Sequence, residues 1–174
     1  MNHRKIHILG PSGSGKSYLA DKISGKSGIK SYDLDDLFWD NSDAAYNKRN
    51  PPAERDRLLG EILTRSEWII EGVYYKWPRE SFDKSEIVIF LDTPYPVQFT
   101  RILLRFLKRK LKIQPSRKKK TITGLIELMR WNRGYNEELR IFVRQLSEKK
   151  SIYILKGEAG VNRFIKKWPD INRH

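Results

Sequence analysis

Gly10-Pro-Ser-Gly-Ser-Gly-Lys-Ser17 matches the pattern G-x-x-x-x-G-K-[ST] at every fixed position. A short apolar segment, Lys5–Leu9, precedes it, and Tyr18–Ile23 follows as a helix candidate. A strand, a glycine-rich turn and a helix N-terminus in this order point successive backbone N–H groups at an anion, and the helix dipole adds partial positive charge. This stretch therefore predicts a phosphate-binding loop.

The polar side chains of the loop predict how a nucleoside triphosphate binds. We expect Lys16 to contact the β- and γ-phosphates and the Ser17 hydroxyl to ligate Mg²⁺. A flexible loop that matches by chance is the alternative, and the flanking strand and helix argue against it. The residues expected to surround the phosphates are those of the loop itself: Gly10, Pro11, Ser12, Gly13, Ser14, Gly15, Lys16 and Ser17.

Length and composition limit the class of protein. A chain of 174 residues suits one domain, here 1–174, with a sizeable core. The absence of cysteine excludes disulfides and thiolate zinc sites, and it allows a reducing, cytoplasmic location. The longest apolar run, Ile87–Leu91, is too short to span a bilayer, and the first strand begins too early to leave room for a signal peptide. We expect a cytoplasmic protein without a membrane partner.

Strand and helix candidates alternate along the chain. After the first strand, the strand candidates are Ile29–Leu34, Trp68–Ile70, Glu86–Leu91 and Ser151–Leu155. Helices are predicted from Pro51-Pro52 to about Ser66, over a long stretch before the last strand, and over about 160–168. This alternation predicts an α/β fold: a five-stranded parallel sheet with helices on both faces.

Polar residues stand at the ends of these strands: Asp35, Glu71, Asp92 and Lys156. In open α/β sheets ligands bind beyond the carboxyl ends of the strands, so we expect these side chains to surround the phosphate loop. Lys156 is a candidate nucleotide-binding residue. Asp92 is a candidate magnesium residue, although Asp-Thr-Pro is also an ordinary turn sequence.

Asp35 is the carboxylate with the most informative position. It could orient the magnesium shell or accept a proton from an attacking group, or it could simply cap a helix N-terminus. Asp33 and Asp36 lie beside it, so the sequence leaves open which of the three acts. Three aromatic residues downstream could stack on a base or belong to the core: Tyr74, Tyr75 and Trp77.

The positive charge of the chain is concentrated in one segment. The net charge is +14, and ten Lys or Arg residues with no acid lie between Asp92 and Glu127. A polyanionic partner is implied. Arg101, Arg105 and Arg109 recur at helical spacing, and such a stripe is either a solvated face or a clamp for a transferring phosphoryl group. The sequence Gln114–Lys120 predicts a break after this helix.

Taken together, the motifs resemble the nucleoside monophosphate kinase branch of the phosphate-loop proteins. Within that branch they are most similar to the small bacterial adenylate-kinase-like DNA topology modulation proteins. The resemblance extends over nearly the whole chain. It is carried by the phosphate loop, Leu34-Asp35 with Phe38-Trp39, Trp68–Tyr74, Ile89–Pro94, and Arg101 with Arg105.

The resemblance implies ATP and Mg²⁺ as cofactors and an acceptor site near Asp35 and Glu71–Tyr74. It also implies a lid or insert over about 101–133, whose first helix supplies Arg101 to the adenine and Arg105 to the phosphates. Relatives usually carry Asp-Gly-Asn-Tyr where this chain has Glu71-Gly-Val-Tyr74. The Asp-Gly-Phe-Pro-Arg motif of true adenylate kinases is also missing. The acceptor therefore stays open.

Two classes of function are consistent with these patterns. The first is an enzyme that transfers the γ-phosphoryl group of Mg-ATP to a small, plausibly nucleotide-like acceptor, with Lys16, Asp35, Arg101 and Arg105 as its catalytic residues. The second is a nucleic-acid-binding ATPase or DNA topology regulator that uses the basic segment 101–120. Few aromatic residues are interspersed there, which disfavours base stacking and makes nucleic acid the weaker expectation.

Overall fold

A five-stranded, all-parallel sheet forms the centre of the protein. The computed structural model describes residues 3–40, 48–111 and 122–169. The strand order is β2-β3-β1-β4-β5, so the strand that leads into the phosphate loop is central. This confirms the predicted α/β class. The strands are β1 Lys5–Leu9, β2 Ser31–Asp33, β3 Trp68–Gly72, β4 Ile87–Asp92 and β5 Ile152–Lys156.

The helices connect these strands and cover both faces of the sheet. Alternate residues of β4 show the two faces: Ile89 packs in the cluster that contains α1 and α7, whereas Val88 packs in the cluster that contains α6. Apolar side chains on both faces of a strand are typical of a parallel sheet buried on both sides. The helices are α1 Lys16–Ser27, α2 Leu34–Phe38, α3 Pro52–Leu63, α4 Arg79–Lys84, α5 Tyr95–Lys110, α6 Ile122–Ser147 and α7 Gly157–Lys167.

Some boundaries differ from the prediction, and the largest difference lies near Asp35. The predicted second strand extended to Leu34, but β2 ends at Asp33 because this carboxylate caps a short helix that begins at Leu34. Glu71 and Gly72 lie inside β3 rather than after it. Among the described helices, none has the length and apolar character needed to cross a membrane.

A buried histidine lies in the central strand. His7 is 0% exposed and its ring stacks on Phe82 with a centroid distance of 3.9 Å. The His7 Nδ1 atom lies 2.9 Å from the Ser81 hydroxyl, which itself donates to the Pro78 carbonyl at 2.6 Å. Nδ1 must therefore carry the ring proton, and Nε2 has no partner among the described residues. Burial, with a smaller effect from the positive charge of Lys150, lowers the pKa of His7 to about 3.

This pKa predicts a pH-dependent loss of stability. In the unfolded chain His7 binds a proton below about pH 6.5, whereas in the folded protein it stays neutral down to about pH 3. The free energy of unfolding should therefore decrease as the pH drops from about 6.5 to about 3, and His7 should not affect its pH dependence above pH 6.5. We expect H7N, which keeps a nitrogen donor for Ser81 but does not titrate, to lose about 2–3 kcal/mol less between pH 7 and pH 4.5. Urea denaturation at both pH values tests this, and equal losses in the two proteins would contradict it.

Candidate active site

The predicted phosphate loop has the required backbone context. It connects the end of β1 at Leu9 to the start of α1 at Lys16. Gly13 and Gly15 have φ angles of +78° and +100°, a region that glycine adopts without strain. A Cβ atom at Gly13 would lie 2.7 Å from the backbone carbonyl oxygen of Gln98. The loop therefore needs glycine at this position for close packing as well as for conformation.

Two loop side chains are held at the sheet edge. The buried Lys16 ammonium donates to the carbonyl of Pro11 at 3.2 Å. The Ser17 hydroxyl donates to the Glu71 carboxylate at 2.5 Å, and Glu71 is 4% exposed. In phosphate-loop proteins the loop Ser or Thr ligates Mg²⁺ together with a carboxylate from a neighbouring strand. Glu71 is a carboxylate on a strand next to β1 and contacts the loop serine.

Three carboxylates crowd together beside Lys16. Asp33 of β2 is in register with Glu71 of β3. Burial, together with the charges of Glu71 and Asp35, raises the pKa of Asp33 to about 7, against the opposing effects of the Asp35 backbone N–H and Lys16. Among the described residues no three acids or histidines form a group that could hold an ion alone.

The structure distinguishes Asp35 from its neighbours. The Asp33 carboxylate accepts the backbone N–H of Asp35 at 2.8 Å, so Asp33 is the helix cap and the capping alternative for Asp35 is wrong. The exposed Asp35 carboxylate accepts a hydrogen bond from the Tyr74 hydroxyl at 2.8 Å. Burial and the Asp35 charge raise the pKa of Tyr74, which therefore stays a donor. Tyr74 orients one oxygen of Asp35.

Aromatic rings and arginines surround Asp35. Tyr74 stacks on Phe38 with a centroid distance of 4.6 Å, and Trp77 lies 5.8 Å from Tyr74. The guanidinium of Arg55 lies 4.5 Å from the Trp77 ring centre. Tyr74 contacts Asp35, and Trp77 contacts Tyr74. Tyr75 belongs to a different cluster, in which it packs with Tyr135 and Phe142.

Arg101 contacts the phosphate loop directly. Its guanidinium donates to the carbonyl of Ser14 at 3.2 Å and forms an ion pair with Glu158 of α7, also at 3.2 Å. A cavity of about 400 Å³ opens beside these groups, large enough for a nucleobase. It is lined by Ser14, Gly15, Tyr18, Arg101, Gly157, Glu158, Val161 and Asn162.

A second cavity of about 230 Å³ lies over the loop and collects positive charge. Lys16, Arg101 and Arg105 line it together with Gly13, Gly15, Ser17 and Tyr18. Within the described ranges, neither Lys16 nor Arg105 forms an ion pair with an acid. The donors of the loop and these cations therefore fit a polyphosphate.

Asp92 and Lys156 lie in a different place from the loop cations. Asp92 accepts from Arg140 of α6 at 3.0 Å, and both line a separate cavity with Lys156. The neighbouring Gly157 lines this cavity and also the one beside Arg101. Contacts of Asp92 with Ser17 and of Lys156 with the loop are not among the hydrogen bonds and ion pairs of the described residues, and the metal and nucleotide roles of these two residues stay predictions.

Two predictions fall partly outside the described residues. The expected break over Gln114–Lys120 lies outside the described residues. Five of the ten basic residues, Lys112 and those at 117–120, also lie outside them. The preceding part is confirmed as a helix, because Arg101, Arg105 and Arg109 all belong to α5. Burial and the neighbouring charge of Arg105 lower the pKa of Arg109.

Comparison with known structures identifies the fold as that of phosphate-loop kinases. A shikimate kinase from Acinetobacter baumannii in complex with shikimate superposes with a TM-score of 0.61 at 18% identity, over 94% of this chain and 89% of that one. A shikimate kinase from Bacteroides thetaiotaomicron gives 0.60 at 19% identity, over 94% and 97%. An unliganded sugar kinase from Janibacter sp. HTCC2649 gives 0.59 at 17% identity, over 97% and 95%. At these identities the likeness establishes the fold alone.

Sequence comparison adds one relative. An uncharacterized protein of Bacillus subtilis (strain 168), YqaC, is 29% identical over 106 residues, which is 61% of this chain and 58% of that protein. The match thus spans little more than half the length of this relative. No protein-family profile matches the chain. The resemblance to DNA topology modulation proteins stays a prediction.

Proposed function

We propose that this protein transfers the γ-phosphoryl group of ATP to a small acceptor bound beside Asp35. One observation carries the proposal: an oriented, exposed carboxylate lies at the same sheet edge as a phosphate loop. Both Asp35 and Lys16 act electrostatically on the Asp33 carboxyl, so both lie near it. A proton acceptor and a phosphate-binding loop close to each other are two parts that phosphoryl transfer requires.

Cations over the loop stabilise the transferring group in this proposal. Lys16 and Arg105 contact the phosphates and offset the charge that develops on the equatorial oxygens. Arg101 holds the loop carbonyls and forms the wall of the cavity for the base. Ser17 and Glu71 would hold a magnesium ion, which would neutralise part of the charge of the phosphates.

Asp35 acts on the acceptor. Its carboxylate takes the proton of the attacking hydroxyl while the oxygen bonds to the γ-phosphorus and the bond to the β-phosphate oxygen breaks, leaving ADP. The Tyr74 hydroxyl holds one carboxylate oxygen at 2.8 Å, so the other oxygen faces the acceptor. Asp33 is less available for this step, although its pKa is raised to about 7, because its carboxylate caps α2.

The surroundings of Asp35 favour an acceptor with an anionic group. The Arg55 side chain is 17% exposed, lies over Trp77 and pairs with the exposed Asp56 carboxylate at 3.4 Å, so an anionic acceptor would compete with Asp56 for it. The Arg49 guanidinium lies 5.5 Å from the Phe38 ring centre. Arginines held on aromatic rings bind carboxylates or phosphates and leave the ring faces for a flat or apolar part. A nucleotide-like acceptor meets both conditions, and so does a cyclic carboxylic acid.

The direct test is ADP formation with a panel of acceptors. Nucleoside monophosphates, sugars and shikimate-like acids should be compared with a blank that contains ATP and Mg²⁺ only. We expect one class, carrying a carboxylate or phosphate, to raise ADP release well above the blank. A rate that is the same with every acceptor would contradict transfer. It would favour the alternative function, a nucleic-acid-binding ATPase that uses the basic segment 101–120. Part of that segment lies outside the described residues.

The magnesium assignment predicts a difference between two carboxylates. E71Q should weaken the apparent affinity for Mg²⁺ in the presence of ATP by about 10- to 100-fold, since it replaces the charged partner of Ser17 by a neutral one of the same size. D92N is the matched control, because Asp92 also ends a strand next to β1 but pairs with Arg140. Turnover measured against Mg²⁺ concentration separates them. A shift in D92N with none in E71Q would return the metal role to Asp92.

A further inference from the structure

A buried side-chain amide from α6 holds the phosphate loop from behind. Asn132 is 0% exposed. Its Oδ1 accepts the backbone N–H of Ser12 at 3.0 Å, and its Nδ2 donates to the backbone carbonyl of Ser12 at 3.2 Å. One side chain therefore pairs with both backbone groups of a single loop residue that lies 120 positions earlier in the chain.

The hydrogen bonds continue through α5 and return to the loop. Asn132 Nδ2 also donates to Gln98 Oε1 at 2.6 Å, and Gln98 Nε2 donates to the Thr93 carbonyl at 2.6 Å. The Thr93 hydroxyl donates to the Ser14 carbonyl at 3.2 Å. Gln98 and Thr93 are 1% and 2% exposed. A buried polar network whose members pair with one another is rigid, and it fixes the groups that it contacts.

Backbone packing limits the loop from the same direction. The α5 backbone at Gln98 lies so close to Gly13 that an added Cβ atom would meet it at 2.7 Å. Arg101, one turn further along α5, donates to the Ser14 carbonyl. Helices α5 and α6 thus bind loop carbonyls at Ser14 and Ser12. The N–H groups of Ser12 and Ser14 are bonded within the protein, so an anion would be bound by other N–H groups of the loop.

We propose that Asn132 and Gln98 are positioning residues that keep the phosphate loop in its anion-binding shape before a nucleotide arrives. The proposal rests on the proposed function, in which this loop binds a nucleoside triphosphate. Neither side chain lines the cavities beside Arg101 and Arg105, so both act through the loop backbone. A loop already held in shape avoids the ordering cost that binding otherwise includes.

The experiment compares N132A with N136A. Asn136 lies one turn further along α6, is 8% exposed and contacts Gln98 at 3.4 Å, but it makes no hydrogen bond to the loop. Both variants remove a buried amide from the same helix face, so both should lower the melting temperature. Isothermal titration with the magnesium complex of AMP-PNP measures affinity without turnover. We expect N132A to bind about tenfold or more weakly, the effect of losing two backbone hydrogen bonds, and N136A to stay within about twofold of the unmodified protein.

The outcomes separate this inference from the proposed function. Equal affinity in N132A and the unmodified protein, or an equal loss in both variants, would overturn the positioning role. No binding to the unmodified protein would instead overturn nucleotide binding. In that case hydrogen exchange of the Ser12–Gly15 amides decides on the positioning role, which requires faster exchange in N132A than in N136A. If N132A does not fold, N132D keeps the size and places a second acceptor against the Ser12 carbonyl. It should show the same weakening.

Discussion

Replacing Lys16 with alanine is expected to abolish measurable binding of Mg-ATP and turnover while the fold is retained. The Lys16 ammonium is buried at the loop, and within the described residues its hydrogen bond is to the Pro11 carbonyl. A charge-assisted hydrogen bond to each of two phosphates contributes about 1.5–3 kcal/mol, so the combined loss exceeds about 100-fold in affinity. Removing the side chain costs little stability by comparison, because the Pro11 carbonyl also accepts the backbone N–H of Ser14 at 3.2 Å.

Lys22 provides the matched control for this experiment. It lies in the same helix, is exposed, and stands over the Tyr18 ring at 5.6 Å. K22A should bind and turn over Mg-ATP like the unmodified protein. Calorimetric titration and ADP release on both variants give the answer, and circular dichroism checks the fold. If K16A kept its affinity and turnover, the loop would not be a nucleotide site.

The second large effect is expected at Asp35. D35N should lower acceptor-dependent turnover by about 100-fold or more, the scale for losing a general base, while ATP affinity changes little. Because Asp33 is the helix cap, the substitution removes no capping interaction and the stability should be nearly unchanged. The amide oxygen can still accept from Tyr74, which keeps the side chain in place.

Asp36 allows a matched comparison on the same turn of α2. D36N makes the same change of charge one residue away, and both carboxylates are exposed. Steady-state kinetics with saturating ATP on D35N and D36N isolate the role of the Asp35 carboxylate. Comparable turnover in D35N and the unmodified protein would remove Asp35 from the chemistry. An equal fall in both variants would mean that the net charge near the loop matters, not a specific base.

Local signals account for what the sequence predicted correctly. The glycine pattern of the loop Gly10–Ser17 is enough to predict its conformation. The apolar runs at β1 and β4 predict strands without knowledge of what packs against them. The wrong assignment of Leu34 to the second strand also has a local cause. An apolar residue that follows a strand pattern favours a longer strand, but the Asp33 carboxylate accepts the Asp35 N–H and begins a helix. Short helices such as α2 have too few turns to show a period.

Non-local contacts account for what the sequence did not reveal. Glu71 and Asp92 both lie near the carboxyl ends of strands that flank β1. Their different partners, Ser17 for Glu71 and Arg140 for Asp92, distinguish them, and the sequence does not show those contacts. Asn132 is one of several polar residues in a long helix, and nothing in its sequence neighbourhood indicates that it faces Ser12. Such roles depend on which helix face meets the loop, and that follows from the packing of the whole sheet.

The measurement that tests the central claim most directly is the fate of labelled phosphate. ATP carrying ³²P in the γ-position should be incubated with the protein, Mg²⁺ and each acceptor class, and the products separated. The account predicts label in an organic product that forms only with an acceptor, and its loss in K16A. Label found only as inorganic phosphate, at a rate independent of every acceptor, would contradict it.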